Sequence, residues 1–401
     1  MNILVVAPQP FFSPRGTPFS VYYRTLVTCE LGHDVDLLTY GEGEDVDIRG
    51  CRTVRIPAFR WLGPVRIGPS LHKLFLDCFM IAWTVALLLR RRYAVVHAHE
   101  EAVFWCRWLK PLFRFRLVYD MHSSLPEQLV SCGYTRSRLL HWLFERFERS
   151  SVRAAEAVIA ICPAIRDYAR TLTPDAAKIV LIENSLFDPV KLARAVGHDS
   201  QESPSAEARC GHAHDWLGTR CRERVVAYAG TMEAYQGIDK LLEAFSAVAA
   251  RVPGAGLLII GGSPRQVEHY RDLARALGVG DAVHFTGQLP QPETQRLVAC
   301  AGAAISPRFA GNNTPMKIYP LLADGVPLVA TRIESHTQIL NDEIAILADV
   351  STTALAEGMV RALSNRGDIL AMARRAQEWY RQEYSRDAYA AKMRKLFALV
   401  A

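Results

Sequence analysis

Two doubly wound α/β domains in series are what this 401-residue sequence predicts, and three observations predict them. Short apolar, β-rich runs alternate with helical segments twice over, the pattern of parallel sheets covered on both faces. A polar, irregular stretch from Asn184 to about Gly218 separates the two series. The length itself exceeds one ordinary domain.

The first series reads NILVVA, HDVDLLTY, AVVHAH, LVYDMH and AVIAIC, with helical segments such as Pro18 to Leu31 and Arg138 to Ala155 between. The second reads VVAYAG, GLLIIGG, VHFTG, AAISP and VPLVAT, with helices that include Ile238 to Arg251 and Pro264 to Leu277. The expected domains are residues 1–186, with a last helix at 387–401 that can pack back on them, and residues 187–386. Ligands of such sheets sit at the carboxyl ends of the strands. The strand tips of the two domains are therefore expected to face one interdomain cleft.

The stretch ISPRFAGNNTPMKIYPLLADGVPLVAT, Ile305 to Thr331, carries the most chemistry. An apolar strand ends in a polar loop with Gly311, Asn312 and Asn313. Thr314-Pro315 then joins an N-cap hydroxyl to an N1 proline, which predicts a helix from there to about Asp324. Gly325 supplies the stop. A helix N-terminus flanked by Arg308 and Lys317 is expected to seat a diphosphate.

Half of the residues are hydrophobic and 22% are charged, as in a well-cored globular chain. Nine scattered cysteines argue against a disulfide framework and for a reducing compartment. MNILVVAPQP lacks a basic n-region and reads as a first strand rather than a signal peptide. Net charge is +6 but uneven: Arg49 to Arg153 holds eighteen Lys/Arg against seven Asp/Glu. Such an excess suits a membrane surface or a phosphorylated acceptor. Without a nucleic-acid motif, no nucleic-acid partner is expected.

The apolar stretch from Leu71 to Leu89 is interrupted by His72, Lys73 and Asp77, so it falls short of the ~20 residues of a membrane span. It reads as a core helix whose end, with the aromatic and basic runs FWCRWLKPLFRFRL and LLHWLFERFERS, touches the cytoplasmic leaflet. Cys210, His212, His214 and Cys221 have zinc-ligand chemistry, but their spacing matches no common structural site, and they read as incidental. His97 and His99 are read as facing opposite sides of their strand, which would exclude a metal shared between them.

In order, PQPFFSPRGTPFSVYYRTL, LGHDVDLLTY, AVVHAHE, LVYDMHSS, AAEAVIAICPAI, IVLIENSLFD and VVAYAGTMEAYQGIDKLLEAFSAV, with the segment from Ser306, resemble the family-4 glycosyltransferases of the GT-B fold over nearly the whole chain. The resemblance implies retaining transfer of a sugar from a nucleotide-diphosphate sugar, UDP-linked by default, to a lipid or lipid-linked glycan acceptor. It implies neither cofactor nor metal, because nothing resembles the DxD motif of the other large glycosyltransferase fold. Site roles follow from it. Gly16 would let the first loop approach the donor, with Arg15 and Ser123 on the acceptor side. His122, Glu100 and Glu101 would position the incoming hydroxyl. Gly230, Thr231, Gln236, Asn312, Asn313, Thr314, Arg308 and Lys317 would hold the donor, and the turn Gly287-Gln288-Leu289 would read its base.

Three positions depart from the family pattern. Thr231 and Gln236 stand where an Arg and a Lys are usual, and Pro320 stands where a ribose-binding Glu is usual. A helical proline there should also cost up to ~3 kcal/mol. Arg308 and Lys317 would replace the missing cations. The rival readings are a catalytically silent nucleotide- or glycolipid-binding partner of the same fold, and a nucleotide-sugar epimerase.

Overall fold

The computed structural model describes residues 1–13, 16–59, 61, 63, 70–124, 138–184, 190, 204–311 and 313–401. It divides into two compact units, Met1–Val196 with Arg386–Ala401, and Gly197–Ser385.

The first unit is built on seven parallel strands: β1 (Asn2–Ala7), β2 (Asp34–Thr39), β3 (Cys51–Arg55), β4 (Val95–His99), β5 (Arg116–Met121), β6 (Ala157–Ala160) and β7 (Ile179–Leu181). Their spatial order is β3-β2-β1-β4-β5-β6-β7. The direction of winding reverses between β1 and β4, which pair in register from Ile3 with Val95 to Val6 with Ala98. Both faces are covered, so β1 and β4 are buried along nearly their whole length rather than at alternate residues. One face packs on Val21, Tyr22, Tyr23 and Val27 of the helix Gly16–Glu30. The helix Arg386–Ala398 lies on the same face, burying Tyr389, Met393 and Leu396 and pairing Lys392 with Glu183 at 2.7 Å.

The second unit carries β8 (Val225–Ala229), β9 (Gly256–Ile260), β10 (Val283–Gly287), β11 (Ala303–Ser306), β12 (Leu328–Thr331) and β13 (Ile346–Ala348). The order is β10-β9-β8-β11-β12-β13, again all parallel, with the reversal between β8 and β11. Both orders are that of the dinucleotide-binding doubly wound fold.

Several boundaries differ from expectation. The helix predicted from Thr314 spans only Ile318–Ala323. A tight turn, closed by Ile318 N–H donating to Pro315 O at 3.1 Å, takes up its expected first turn. Thr314 caps nothing; its buried hydroxyl has no hydrogen-bond partner among the described residues. Pro320 therefore sits in the first turn, where its missing N–H would have had no intrahelical acceptor, and the expected cost is not incurred. The stretch expected to be irregular contains the helix Pro204–Gly218. Cys210, His212 and His214 lie along it, and residues two apart on a helix diverge by about 200°. They do not gather with Cys221 into a metal site among the described residues.

Candidate functional sites at the two strand reversals

In the first unit the carboxyl ends of β4 and β5 deliver a buried ionic knot. Asp120, the penultimate residue of β5, is fully buried with four cationic or imidazole groups within 3.4 Å of its carboxylate. Arg24 Nε lies 2.6 Å from its Oδ2, His97 Nε2 3.0 Å and His99 Nδ1 3.4 Å, while His122 Nε2 lies 3.2 Å from Oδ1. His99 and His122 meet at 3.2 Å through Nδ1 and Nε2. Arg24 spends its other nitrogens on Ile182 O at 3.0 Å and Asn184 Oδ1 at 3.1 Å. The Asp120 carboxyl is held well below its ordinary range: burial opposes this, and Arg24 leads the groups that outweigh it. Burial pushes His99 well below an ordinary imidazole, against the pull of Asp120, so it stays neutral.

This knot corrects one expectation. His97 and His99 do not face opposite sides, because strand residues two apart project from the same face. Their rings stack with centroids 4.6 Å apart. Together with Asp120 they form a set whose ligand atoms lie close enough to hold a metal ion. The Arg24 guanidinium already occupies the carboxylate, and a second cation there would meet it at close range in a buried, low-dielectric setting. Arg24 and Asp120 were not foreseen from sequence. The usable signal was a lone arginine in FSVYYRTL and a lone aspartate in LVYDMH, two opposite charges inside apolar elements.

Glu100 and Glu101 follow β4 and meet Lys73. Glu101 Oε1 pairs closely with Lys73 Nζ, and Glu100 Oε2 lies 3.8 Å from it. One turn further along the helix Leu71–Arg90, Asp77 accepts from the buried Tyr40 hydroxyl at 2.6 Å. Glu100 adopts φ +48°, unusual for a residue with a side chain, and donates its N–H to Asp120 O at 3.1 Å. Burial, followed by the competing effects of Lys73 (down) and Glu100 and Asp77 (up), leaves Glu101 at about 7. Gly16 opens the helix Gly16–Glu30, Ser123 is half-buried behind His122, and Arg15 lies outside the described residues.

The helix Leu71–Arg90 is long and apolar enough to cross a membrane, yet little of it is buried. Leu76, Met80, Leu87 and Leu88 face the core, whereas Leu71 is 85% and Leu74 62% exposed. Trp108, Leu112, Leu139 and Trp142 are likewise exposed on the helices Ala102–Phe113 and Arg138–Ala154. Arg107 lies over the Trp108 ring and Arg146 over Trp142. The expected core helix is thus core along one narrow stripe and apolar surface elsewhere. A cavity of about 750 Å³ lined by Asp36, Arg52, Arg90 and Arg91 opens at the amino-terminal ends of β2 and β3, away from the strand tips just described.

In the second unit the reversal between β8 and β11 brings together Gly230, Gln236, Arg308 and Lys317. Lys317 Nζ donates to Gln236 Oε1 at 3.3 Å and stands 4.1 Å from the centroid of the Tyr228 ring. Burial, then repulsion from Arg308, lowers its ammonium to about 7. Arg308 donates to the Ala310 and Asn313 carbonyls and lies 5.2 Å over Tyr235. Neither cation has a carboxylate partner among the described residues.

Glycines make this approach possible. A Cβ on Gly311, at φ +112°, would fall 1.8 Å from Arg308 Nη2. One on Gly261 would fall 2.0 Å from Gly230 O. The Arg308 loop is anchored from behind: the Thr331 hydroxyl donates to Arg308 O, and His336 accepts from Ser306 Oγ at 3.0 Å and donates to Thr331 O at 2.8 Å. His336 was missed because HTQIL carries no signal that separates a wedge of this kind from a surface helix. Its full burial pushes it down to about 4.

Gly287, at φ +72°, begins the expected base-reading turn, and its carbonyl accepts from Gly261 N–H at 2.8 Å. The Gln288 carbonyl is taken by Arg209 at 3.1 Å, and Leu289 packs partly buried on the core. Thr231 is exposed, and its carbonyl accepts from the Tyr228 hydroxyl. Asn312 lies outside the described residues.

Two doubly wound sheets with this division of residues are matched by sequence models of known families. Residues 23–185 match the glycosyl transferase 4-like domain, and residues 223–365 match glycosyl transferases group 1. The chain belongs to the family-4 glycosyltransferases. A D-inositol 3-phosphate glycosyltransferase of Corynebacterium diphtheriae is 24% identical over 87% of this chain and 78% of its own length. A phosphatidyl-myo-inositol mannosyltransferase of Mycobacterium tuberculosis is 23% identical over 91% of this chain and 88% of its own. Among solved structures, Anabaena HepE in complex with UDP superposes with a TM-score of 0.70 at 15% identity, over 99% of this chain and all of that one. These likenesses identify the glycosyltransferase fold of the GT-B type.

Proposed function

We propose that this family-4 glycosyltransferase takes a nucleotide-diphosphate sugar, UDP-linked by default, and transfers the sugar with retention to a lipid or lipid-linked glycan in cell-envelope synthesis. The observation that carries this reading is the pair Arg308 and Lys317, two basic side chains without a carboxylate partner among the described residues, at the strand reversal of the second unit. Fixed cations aimed at a leaving diphosphate stabilise the charge that develops as the glycosidic bond breaks. They stand in place of the cations that Thr231 and Gln236 lack, and no metal or cofactor is invoked. The diphosphate oxygen released on the donor's face takes the acceptor proton, while His122 and Glu100 or Glu101 position the acceptor hydroxyl.

The acceptor reading draws support from two relatives, named a D-inositol 3-phosphate glycosyltransferase and a phosphatidyl-myo-inositol mannosyltransferase. The exposed leucines and tryptophans of the first unit, interleaved with arginines, suit the cytoplasmic face of an anionic membrane. Co-sedimentation with phosphatidylglycerol vesicles checks that arm; binding that Trp108→Ser with Trp142→Ser leaves unchanged would sink it.

Thermal stabilisation against UDP, GDP, dTDP and their sugars tests the donor reading. A selective rise with one nucleotide-sugar, abolished by Arg308→Ala, is the expected result. No rise with any of them at millimolar concentration favours the silent-partner reading, which Thr231, Gln236 and Pro320 motivate.

A further inference from the structure

An ammonium has three N–H donors, and a buried one is satisfied by acceptors or by a carboxylate. Among the described residues Lys317 Nζ has one oxygen acceptor, Gln236 Oε1 at 3.3 Å, and the face of the Tyr228 ring at 4.1 Å. The groups around it come from four segments. Tyr228 is the penultimate residue of β8, Gln236 lies in the loop that follows, Arg308 follows β11, and His336 belongs to the short helix Glu334–Thr337. Of these only Arg308 carries a permanent charge, and it has the same sign. Glu233, the acid of the β8 loop, faces Gln266 at 3.4 Å, and Glu334 forms no ion pair among the described residues. The Tyr228 hydroxyl is committed to the Thr231 carbonyl.

We infer that Lys317 is a proton-linked diphosphate sensor: the diphosphate arrives at a neutral amine and leaves it an ammonium. The proton comes from solvent and lands on Nζ, and no other bond forms or breaks. Two further features support it. The lowered ionisation of Lys317, at about 7, puts the neutral form in the majority at mildly alkaline pH. The missing Cβ of Gly230, which would stand 3.2 Å from Nζ, leaves that side open to an anion. A diphosphate supplies the acceptors and the opposite charge that the protein groups around Lys317 do not, so it raises the amine's proton affinity. Arg308, always charged, attracts the anion first, and Lys317 adds its charge only when the anion is seated. The inference rests on the diphosphate reading of this site and adds to it how binding depends on pH.

Calorimetric titration of the whole protein in buffers of different ionisation enthalpy counts the protons exchanged. With UDP, GDP and inorganic pyrophosphate as probes at pH 8, uptake of about one proton per diphosphate is expected. The dissociation constant should weaken by up to about tenfold per pH unit above 7. Lys317→Arg, charged throughout, should bind without proton uptake and with a flat pH profile. Binding of any probe to the wild type with no uptake, or uptake that persists in Lys317→Arg, overturns the inference. UDP and GDP that fail where pyrophosphate binds with uptake would refute the nucleotide reading and keep this one. UDP that binds without uptake would do the reverse. Failure of all three probes to bind refutes both.

Discussion

Replacing Arg24 with methionine probes the ionic knot of the first unit most sharply. Arg24 and Asp120 are 1% and 0% exposed and meet at 2.6 Å, so neither has water to fall back on. Methionine fills much the same volume but leaves Asp120 charged and buried, and it also strips Ile182 O and Asn184 Oδ1 of their donor. Breaking one partner out of a buried pair costs about 3–5 kcal/mol. Losing Arg24 also removes its repulsion on His99, 3.4 Å from the carboxylate that already pulls its proton affinity upward, so His99 can bind a proton and restore the balance. That rescue needs acid, and the loss should therefore be smaller at pH 6 than at pH 8. Urea unfolding followed by tryptophan fluorescence suits the question, because five of the seven tryptophans, Trp61, Trp83, Trp105, Trp108 and Trp142, lie in the first unit. A loss under about 1 kcal/mol, or one equal at both pH values, would refute the reasoning.

Three other outcomes follow from the geometry. His336, lowered to about 4 by burial, binds fewer protons folded than unfolded below its ordinary 6.5. Stability should thus fall by about 2 kcal/mol from pH 7.5 to 5 through this group, and His336→Gln should flatten that slope in urea titrations. Gly261→Ala places a Cβ 2.0 Å from the Gly230 carbonyl at φ +121°, so it should lower the melting temperature and weaken UDP binding at least tenfold. An unchanged UDP affinity would show that Gly230 lies off the donor path. Lys73→Met removes the ammonium that holds Glu101 down, so the acid limb of the pH–rate profile should move upward from about 7. A limb that stays in place would remove Glu101 from the proposed acceptor machinery.

The fold was legible because both sheets are buried on both faces, which leaves their strands as unbroken apolar runs such as NILVVA and GLLII. The strands that escaped notice were short or polar. CRTVR at β3 alternates on a half-exposed edge, and ILA at β13 spans three residues. The helix Pro204–Gly218 was hidden by glycine, histidine and cysteine, residues of indifferent helical preference. At the donor end Arg308 and Lys317 were legible as basic residues beside a strand tip. Their support was not: Thr331 and His336 act from the next strand and helix, and no local spacing joins Thr331 to Arg308. The helix predicted at Thr314-Pro315 shows the opposite failure. A sound local start signal lost to the turn closed between Pro315 and Ile318, which places Lys317 ahead of the helix rather than within it.

The central claim is retaining sugar transfer from a nucleotide-diphosphate sugar to a lipid acceptor. Incubation with UDP- and GDP-sugars carrying 13C at the anomeric carbon, in EDTA and with phosphatidylinositol vesicles or a bacterial lipid extract, tests it directly by NMR of the lipid phase. The account predicts labelled sugar in the lipid with the anomeric configuration of the donor. An inverted anomeric centre, a strict need for added divalent metal, or no transfer from any donor that binds would contradict it.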